Sequence, residues 1–306
     1  MTTAGKDKSR LRRLAADYAE IAHSDVMNAR RETWRRTNRL EERTVPFQYE
    51  DNGTFFNDLM PDLQCEGRLE RGLERQFLGA ITNYQCMDDD RVVPPYCALG
   101  WHISRPAICP ELKSTHAEDG HGRHLGFKTN RPLADLEKGL KKLQRGEFTV
   151  DRDATLAHVE AAKALFGDLL PVRITCRNLT AAAVGLAQKA VILMGMDTFY
   201  MAMVDQPENV HRFFEFVTAE AMDFMDWLDA EELIRPNHGE CWVGSGSCGY
   251  TDELPRREIP EGATWHPSDC WGFQEAQEVV AISPAMFGEF VFPYLKRTAD
   301  RFGLVY

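Results

Sequence analysis

Histidine, cysteine and glutamate come together in one short segment, residues 238–241, where they could bind a metal ion. His238 and Cys241 supply an imidazole nitrogen and a thiolate sulfur, and Cys248 and Cys270 follow downstream. Soft sulfur and nitrogen ligands suit Zn²⁺. The spacing matches no zinc-finger pattern, and cysteine is also common in protein cores. The segment therefore predicts either a zinc site with His238 and Cys241 as ligands, or packing and substrate contacts.

Two further places could contact a substrate. The glycine-rich residues 244–249 could cradle an anion with backbone N–H groups, or form a plain surface turn, and Tyr250 follows directly. His102 stands at the end of a predicted extended segment, residues 91–103. At the mouth of a barrel His102 would line a pocket, and the alternative is a core histidine bonded to a backbone carbonyl. We take His102, His238 and Tyr250 as candidate substrate-binding residues.

Composition narrows the classes of function. A net charge of −11 over 306 residues argues against nucleic acid as the main partner. No apolar run approaches the roughly 18–20 residues of a membrane span. The first 40 residues lack the apolar region of a secretory signal. Eight cysteines are scattered without a Cys-x-x-Cys pair, which predicts reduced thiols and a cytoplasmic protein.

Helical patterns alternate with short apolar runs along most of the chain. Residues 7–43 predict charged helices, and the runs at residues 44–49, 91–103 and 169–175 predict strands. This alternation favours a parallel sheet or a (β/α) barrel. We therefore expect an N-terminal helical extension over residues 1–43 and an α/β domain over residues 44–306.

The end of the chain predicts a helix followed by a strand. Ser283 is a good N-cap, Pro284 suits the first helical position, and Gly303 would close the helix. Residues 304–306 then read as the start of a buried strand. We expect the sequence to be the N-terminal part of a longer protein that lacks its last strands. The open sheet edge would favour an oligomer or an assembly partner.

Three stretches, residues 167–172, 195–211 and 271–294, resemble the uroporphyrinogen decarboxylase superfamily in order and spacing. The superfamily includes the decarboxylase itself and cobalamin-dependent methyltransferases. The resemblance covers roughly residues 130–306. It implies a TIM-like (β/α)₈ barrel of the uroporphyrinogen decarboxylase type, with its site at the C-terminal ends of the strands and its last strands beyond Tyr306.

The resemblance also implies further site residues and cofactors. The segment that begins at Trp271 lines the barrel mouth in that family, so Trp271, Gln274 and Glu275 are candidate substrate contacts, with Trp271 as an ordinary core aromatic being the alternative. The methyltransferase branch activates a thiol with zinc and uses a corrinoid. Its zinc ligands would fall beyond Tyr306, and a corrinoid protein would be a partner.

The resemblance implies two enzymatic functions. The decarboxylase needs an arginine-rich loop after its first strand, and the matching residues 45–53 contain no arginine. This favours a fragment of a corrinoid-dependent methyltransferase that acts on a small molecule. Porphyrinogen decarboxylation and a non-catalytic binding or assembly role are the alternatives, so whether this chain is an enzyme by itself is left open.

Overall fold

The computed structural model describes residues 3–41, 45–50, 56–118, 124–182, 185–239 and 242–306. Helices take up about half of the chain. They are α1 (Thr3–Ala22), α2 (Asp25–Asn38), α3 (Phe56–Leu59), α4 (Arg68–Cys86), α5 (Leu136–Gly139), α6 (Arg152–Phe166), α7 (Arg177–Thr180), α8 (Leu186–Met194), α9 (Met196–Asp205), α10 (Pro207–Ala230), α11 (Pro284–Phe290) and α12 (Phe292–Ala299). Short 3₁₀ helices lie at Leu140–Lys142, Pro267–Asp269 and Gln277–Val279. Within these ranges, none of the helices has the length and apolar character needed to cross a membrane.

The strands are short and pair only in twos within the described ranges. They are β1 (Cys97–Gly100), β2 (His102–Ser104), β3 (Ser114–Glu118), β4 (His124–Thr129), β5 (Thr149–Asp151), β6 (Val172–Thr175), β7 (Trp271–Gly272) and β8 (Leu304–Val305). β1 pairs with β6 and β7 with β8, both in parallel, β2 pairs with β5, and β3 and β4 form an antiparallel hairpin.

The predicted TIM-like (β/α)₈ barrel of the uroporphyrinogen decarboxylase type is therefore wrong. A barrel needs a continuous ring of paired strands, whereas no sheet of more than two strands is present in the part of the chain that the structure describes. Helices pack mainly against other helices, as α1 does against α4 and α10 against α9 and α12. Helix-on-helix packing buries the apolar stripes that a central sheet would otherwise cover.

The first predicted strand is also wrong over its described part, residues 45–49. The backbone N–H of Phe47 donates to the carboxylate of Asp90 at 2.8 Å, and that of Tyr49 donates to Asp89 at 3.0 Å. Side chains thus satisfy the backbone groups that a neighbouring strand would pair. Among the described residues the first strand is β1, so the lack of arginine at residues 45–53 no longer distinguishes the methyltransferase from the decarboxylase.

The chain divides into two compact units, each assembled from three separate stretches. Unit 1 consists of Met1–His102, Asp151–Cys176 and Arg235–Leu254. Unit 2 consists of Ile103–Val150, Arg177–Ile234 and Pro255–Tyr306. The division into residues 1–43 and 44–306 stays a prediction.

The core of unit 1 is built where α1, α4 and α6 meet. The Phe77 ring of α4 is fully buried and lies 5.2 Å from the Tyr18 ring and 5.1 Å from the Phe166 ring, measured between centroids. The carboxylate of Asp151 accepts the N–H of Ala154 at 2.8 Å and so caps α6. Capping and aromatic packing together fix α4 and α6, which flank the site described below.

In unit 2, the predicted start of the C-terminal helix is confirmed, because Ser283 Oγ accepts the N–H of Met286 at 3.2 Å and Pro284 is the first helical residue. The predicted single helix is wrong, because it breaks at Val291 into α11 and α12. Pro293 has no N–H to continue the helical ladder, which explains the break. The predicted strand is confirmed as β8 over Leu304 and Val305, but its predicted burial is wrong, because Leu304 is half-buried and Val305 is exposed.

We expect Gly272→Ala to destabilise the protein by about 1–3 kcal/mol, because a Cβ atom at this position would overlap the ring of Phe302. Urea unfolding followed by circular dichroism would measure the change. Gly288→Ala is the matched control, since a Cβ atom there meets no atom within 4 Å and alanine favours the helix. Equal stabilities of the two variants would contradict the prediction.

Candidate functional site

A cavity of about 510 Å³ opens in unit 1 between α4, the β1–β2 segment and α6. Its size lies in the range of roughly 300–1,000 Å³ that is usual for small-molecule sites. The residues that line it are Arg68, Leu69, Gly72, Leu73, Gln76, Leu99, His102 and His158. The five residues from α4 follow helical spacing and therefore form one face of that helix.

Local structure places two imidazoles side by side at this cavity. Thr155 Oγ1 on α6 donates to the carbonyl of Asp151 at 2.8 Å and accepts the backbone N–H of His102 at 3.0 Å. The second hydrogen bond holds His102 against α6 at Thr155, which lies one helical turn before His158. The two rings meet edge to face with 4.7 Å between their centroids. Both side chains reach solvent, so their ring nitrogens are accessible to water or a ligand.

The polar residues that α4 contributes to the cavity lining are Arg68 and Gln76. Arg68, on the first turn of α4, is exposed and carries a permanent positive charge. Gln76 is half-buried, and its Oε1 accepts the S–H of Cys97 at 3.6 Å. Burial raises the pKa of Cys97 to about 12, so its thiol keeps this proton. The amide nitrogen of Gln76 is then the part of that side chain that remains to donate to a ligand.

The charge and polarity of the lining suit an anion. None of the eight described lining residues carries a carboxylate. One guanidinium, two imidazoles and one amide supply donors, while Leu69, Leu73 and Leu99 supply an apolar wall. An ideal Cβ atom on Gly72 meets nothing within 4 Å, so the cavity has open space beside α4. The arrangement can hold an acidic group together with a small apolar body.

Among the described candidate residues of unit 1, which are His102, His238 and Tyr250, only His102 lines this cavity. His238 is half-buried, its carbonyl accepts the N–H of Thr251 at 3.2 Å, and burial lowers the pKa of its imidazole. Tyr250 is buried, and its carbonyl accepts the amide of Asn38 at 2.8 Å. Both hydrogen bonds are made within unit 1.

The other three candidates belong to unit 2. Trp271 is buried in β7 opposite Leu304. Gln274 donates from Nε2 to Thr298 Oγ1 at 2.7 Å, and its buried Oε1 makes no hydrogen bond within the described ranges. Glu275 is half-buried, and burial followed by the nearby charge of Glu278 raises its pKa. A substrate-binding role for Trp271, Gln274 and Glu275 stays a prediction.

The predicted zinc site cannot be placed. Cys241 lies outside the described residues. Over the residues that are described, no group of three or more histidine, cysteine, aspartate or glutamate side chains is arranged to hold a metal ion. Zinc ligation by His238 and Cys241, and the use of a corrinoid, therefore stay predictions from the sequence.

Sequence reasoning missed Arg68, Gln76 and His158. Arg68 and His158 look like ordinary solvated positions of charged helices, and only the packing of α4 and α6 beside β1 brings them together. The one available signal was that His102 ends an extended segment, which identifies the location but not its partners.

Comparison of the chain with protein-family models, curated proteins and solved structures found no match. The resemblance to the uroporphyrinogen decarboxylase superfamily therefore remains a prediction from residues 167–172, 195–211 and 271–294. A functional proposal has to rest on the geometry of the cavity.

Proposed function

We propose that this protein binds a small organic anion, a carboxylate or a phosphate ester with an apolar body, in the cavity of unit 1. The observation that carries the proposal is the lining itself, in which Arg68, His102 and His158 face a leucine wall and no described lining residue is acidic. Arg68 would pair with the anionic group. The imidazoles would donate hydrogen bonds and, when protonated, add charge.

A small-molecule ligand and a cytoplasmic location, both predicted from the sequence, belong to this proposal. Corrinoid-dependent methyl transfer, porphyrinogen decarboxylation, a corrinoid protein as partner and a non-catalytic assembly role stay predictions. The cavity would serve a binding protein and an enzyme equally well, since an anion must first be bound in either case. Binding is therefore the property to measure first.

Isothermal titration with benzoate, phenyl phosphate, acetate and inorganic phosphate tests the proposal. We expect the two aromatic anions to bind more tightly, because only they reach the leucine wall. Arg68→Gln should weaken binding about 10- to 100-fold, since a hydrogen bond to a charged group contributes roughly 1.5–3 kcal/mol. Arg75→Gln is the matched control, because Arg75 is exposed on the same helix but does not line the cavity.

A cavity-filling variant gives a second test that leaves every charge in place. Gly72→Leu should abolish binding, because its side chain would occupy the open space beside α4, while leucine favours the helix more than glycine does. Loss of binding with an unchanged helical spectrum would support the site. Equal effects of Arg68→Gln and Arg75→Gln, or unchanged binding by Gly72→Leu, would exclude this cavity as the binding site.

A further inference from the structure

A lysine stands in the middle of an apolar helix of unit 2. Lys189 lies on α8, whose other residues from Leu186 to Met194 are apolar apart from Gln188. Its side chain is half-buried. The ammonium group makes no hydrogen bond and no ion pair with any residue that the structure describes. Such a group is costly to keep charged, because burial removes water without supplying a partner.

The carboxylate whose negative charge acts on Lys189, that of Glu220, is already paired with another cation. Glu220 is 2% exposed, and it accepts hydrogen bonds from Nε and Nη2 of Arg105 at 2.8 and 2.7 Å. Nη2 also donates to the carbonyl of Ala182 at 3.2 Å, and the guanidinium lies 4.3 Å from the ring centroid of Phe224. The remaining nitrogen of Arg105, Nη1, has no hydrogen-bond partner among the described residues.

These surroundings favour the neutral amine of Lys189. Burial, and after it the charge of Arg105, lower the pKa of Lys189 to about 8, although the charge of Glu220 acts in the opposite direction. Near pH 8 about half of the molecules then carry a neutral amine at this position, whereas an exposed lysine is almost fully protonated. A neutral amine is a nucleophile, and desolvation is one of the ways in which proteins activate lysine.

We propose that Lys189 is a covalent binding site for a small carbonyl compound that carries an anionic group, with Nη1 of Arg105 pairing with that group. In the reaction the nitrogen of the neutral amine attacks the carbonyl carbon. A carbon–nitrogen double bond replaces the carbon–oxygen double bond, and the oxygen leaves as water together with both amine protons. No oxidation or reduction takes place, and the product is an imine. This site lies in unit 2, and its existence does not depend on anion binding by unit 1.

Reductive trapping on the full chain tests the proposal. The protein is incubated at pH 8 with glyoxylate and sodium cyanoborohydride, which reduces an imine to a stable secondary amine, and peptides are analysed by mass spectrometry. We expect Lys189 to be labelled at least about tenfold faster than Lys138, whose side chain is 82% exposed. Its labelling rate should rise to a plateau around pH 8–9, whereas that of Lys138 should still rise above pH 9.

Two controls separate the amine from the anion site. Acetaldehyde, which has no anionic group, should label Lys189 more slowly than glyoxylate does. In Arg105→Lys the ion pair with Glu220 is kept but Nη1 is removed, so the advantage of glyoxylate over acetaldehyde should disappear. Labelling of Lys189 no faster than that of Lys138 would overturn the proposal. Equal labelling by the two aldehydes in the unmodified protein would overturn the role of Arg105.

Discussion

Lys189→Met is expected to raise the free energy of unfolding by about 2–3 kcal/mol at pH 7. The pKa of Lys189 falls from an ordinary value of 10.5 to about 8 in the folded protein, and each pH unit between two such values is worth about 1.4 kcal/mol. Because the side chain is partly exposed, we expect a stabilisation smaller than the product of this pKa difference and the energy per pH unit. Methionine removes the charge, fills a similar volume and remains a good helix former.

The stabilisation by Lys189→Met should decrease as the pH rises. Between pH 8 and 10.5 the unfolded chain keeps the proton on Lys189 while the folded protein has lost it, so the stability of the unmodified protein rises with pH across this window. The advantage of Lys189→Met should therefore shrink from pH 7 to pH 9.5. Urea unfolding at both values measures it, with the exposed Lys138→Met as control. A variant that is less stable than the unmodified protein at pH 7 would contradict the prediction.

Glu74→Ala is expected to destabilise the protein by about 3–5 kcal/mol, the largest loss that we predict. The Glu74 side chain is fully buried, and its carboxylate accepts hydrogen bonds from Arg10 Nε at 2.9 Å and from the backbone N–H groups of Gln64 and Cys65 at 2.9 and 2.7 Å. Alanine would leave all of these donors without an acceptor. The loss arises mostly from those buried groups rather than from the ion pair alone.

Denaturant unfolding of three variants would check this prediction. Glu74→Gln keeps one acceptor oxygen and should lose less than Glu74→Ala. Glu160→Ala, which removes an exposed carboxylate of the same unit, should change stability by less than about 1 kcal/mol.

Burial opposes ionisation of Glu74, but the N–H groups of Cys65 and Gln64 and the guanidinium of Arg10 outweigh it and lower its pKa below 4.5. The contribution of ionised Glu74 to the free energy of unfolding should therefore be fully present above pH 4.5 and be lost as the pH falls through the folded-state pKa. A loss of stability of under 1 kcal/mol in Glu74→Ala would contradict the prediction.

Local signals in the sequence predicted local structure well. Ser283 and Pro284 start a helix as expected, because capping depends on the first few residues alone. The barrel prediction failed because alternating helices and apolar runs do not determine which strands pair. β1 and β6 pair although more than 70 residues separate them. At residues 47 and 49, the backbone N–H groups that a neighbouring strand would have paired donate instead to the side chains of Asp90 and Asp89.

The same limit applies to the candidate sites. His102 could be identified because it ends an extended segment, whereas Arg68 and His158 join it only through the packing of separate helices. Lys189 did leave a signal, since a single lysine in a mostly apolar helical run is unusual. Its lowered pKa could not be predicted, because it depends on the burial of the side chain and then on the charge of Arg105, which lies 84 positions earlier in the chain and is paired with Glu220.

The discontinuity of unit 1 has a consequence for how the protein is made. Asn38 on α2 donates to the carbonyls of Cys248 and Tyr250, 210 and 212 positions further along the chain. At roughly 5–20 residues per second, a ribosome needs about 10–40 seconds to cover that interval. The α1–α4 pair can form early, since both helices lie within the first 86 residues, but the last stretch of unit 1 arrives only after most of unit 2 has been synthesised. Nascent unit 1 is therefore an incomplete intermediate with exposed apolar surface, which is the kind of species that chaperones bind.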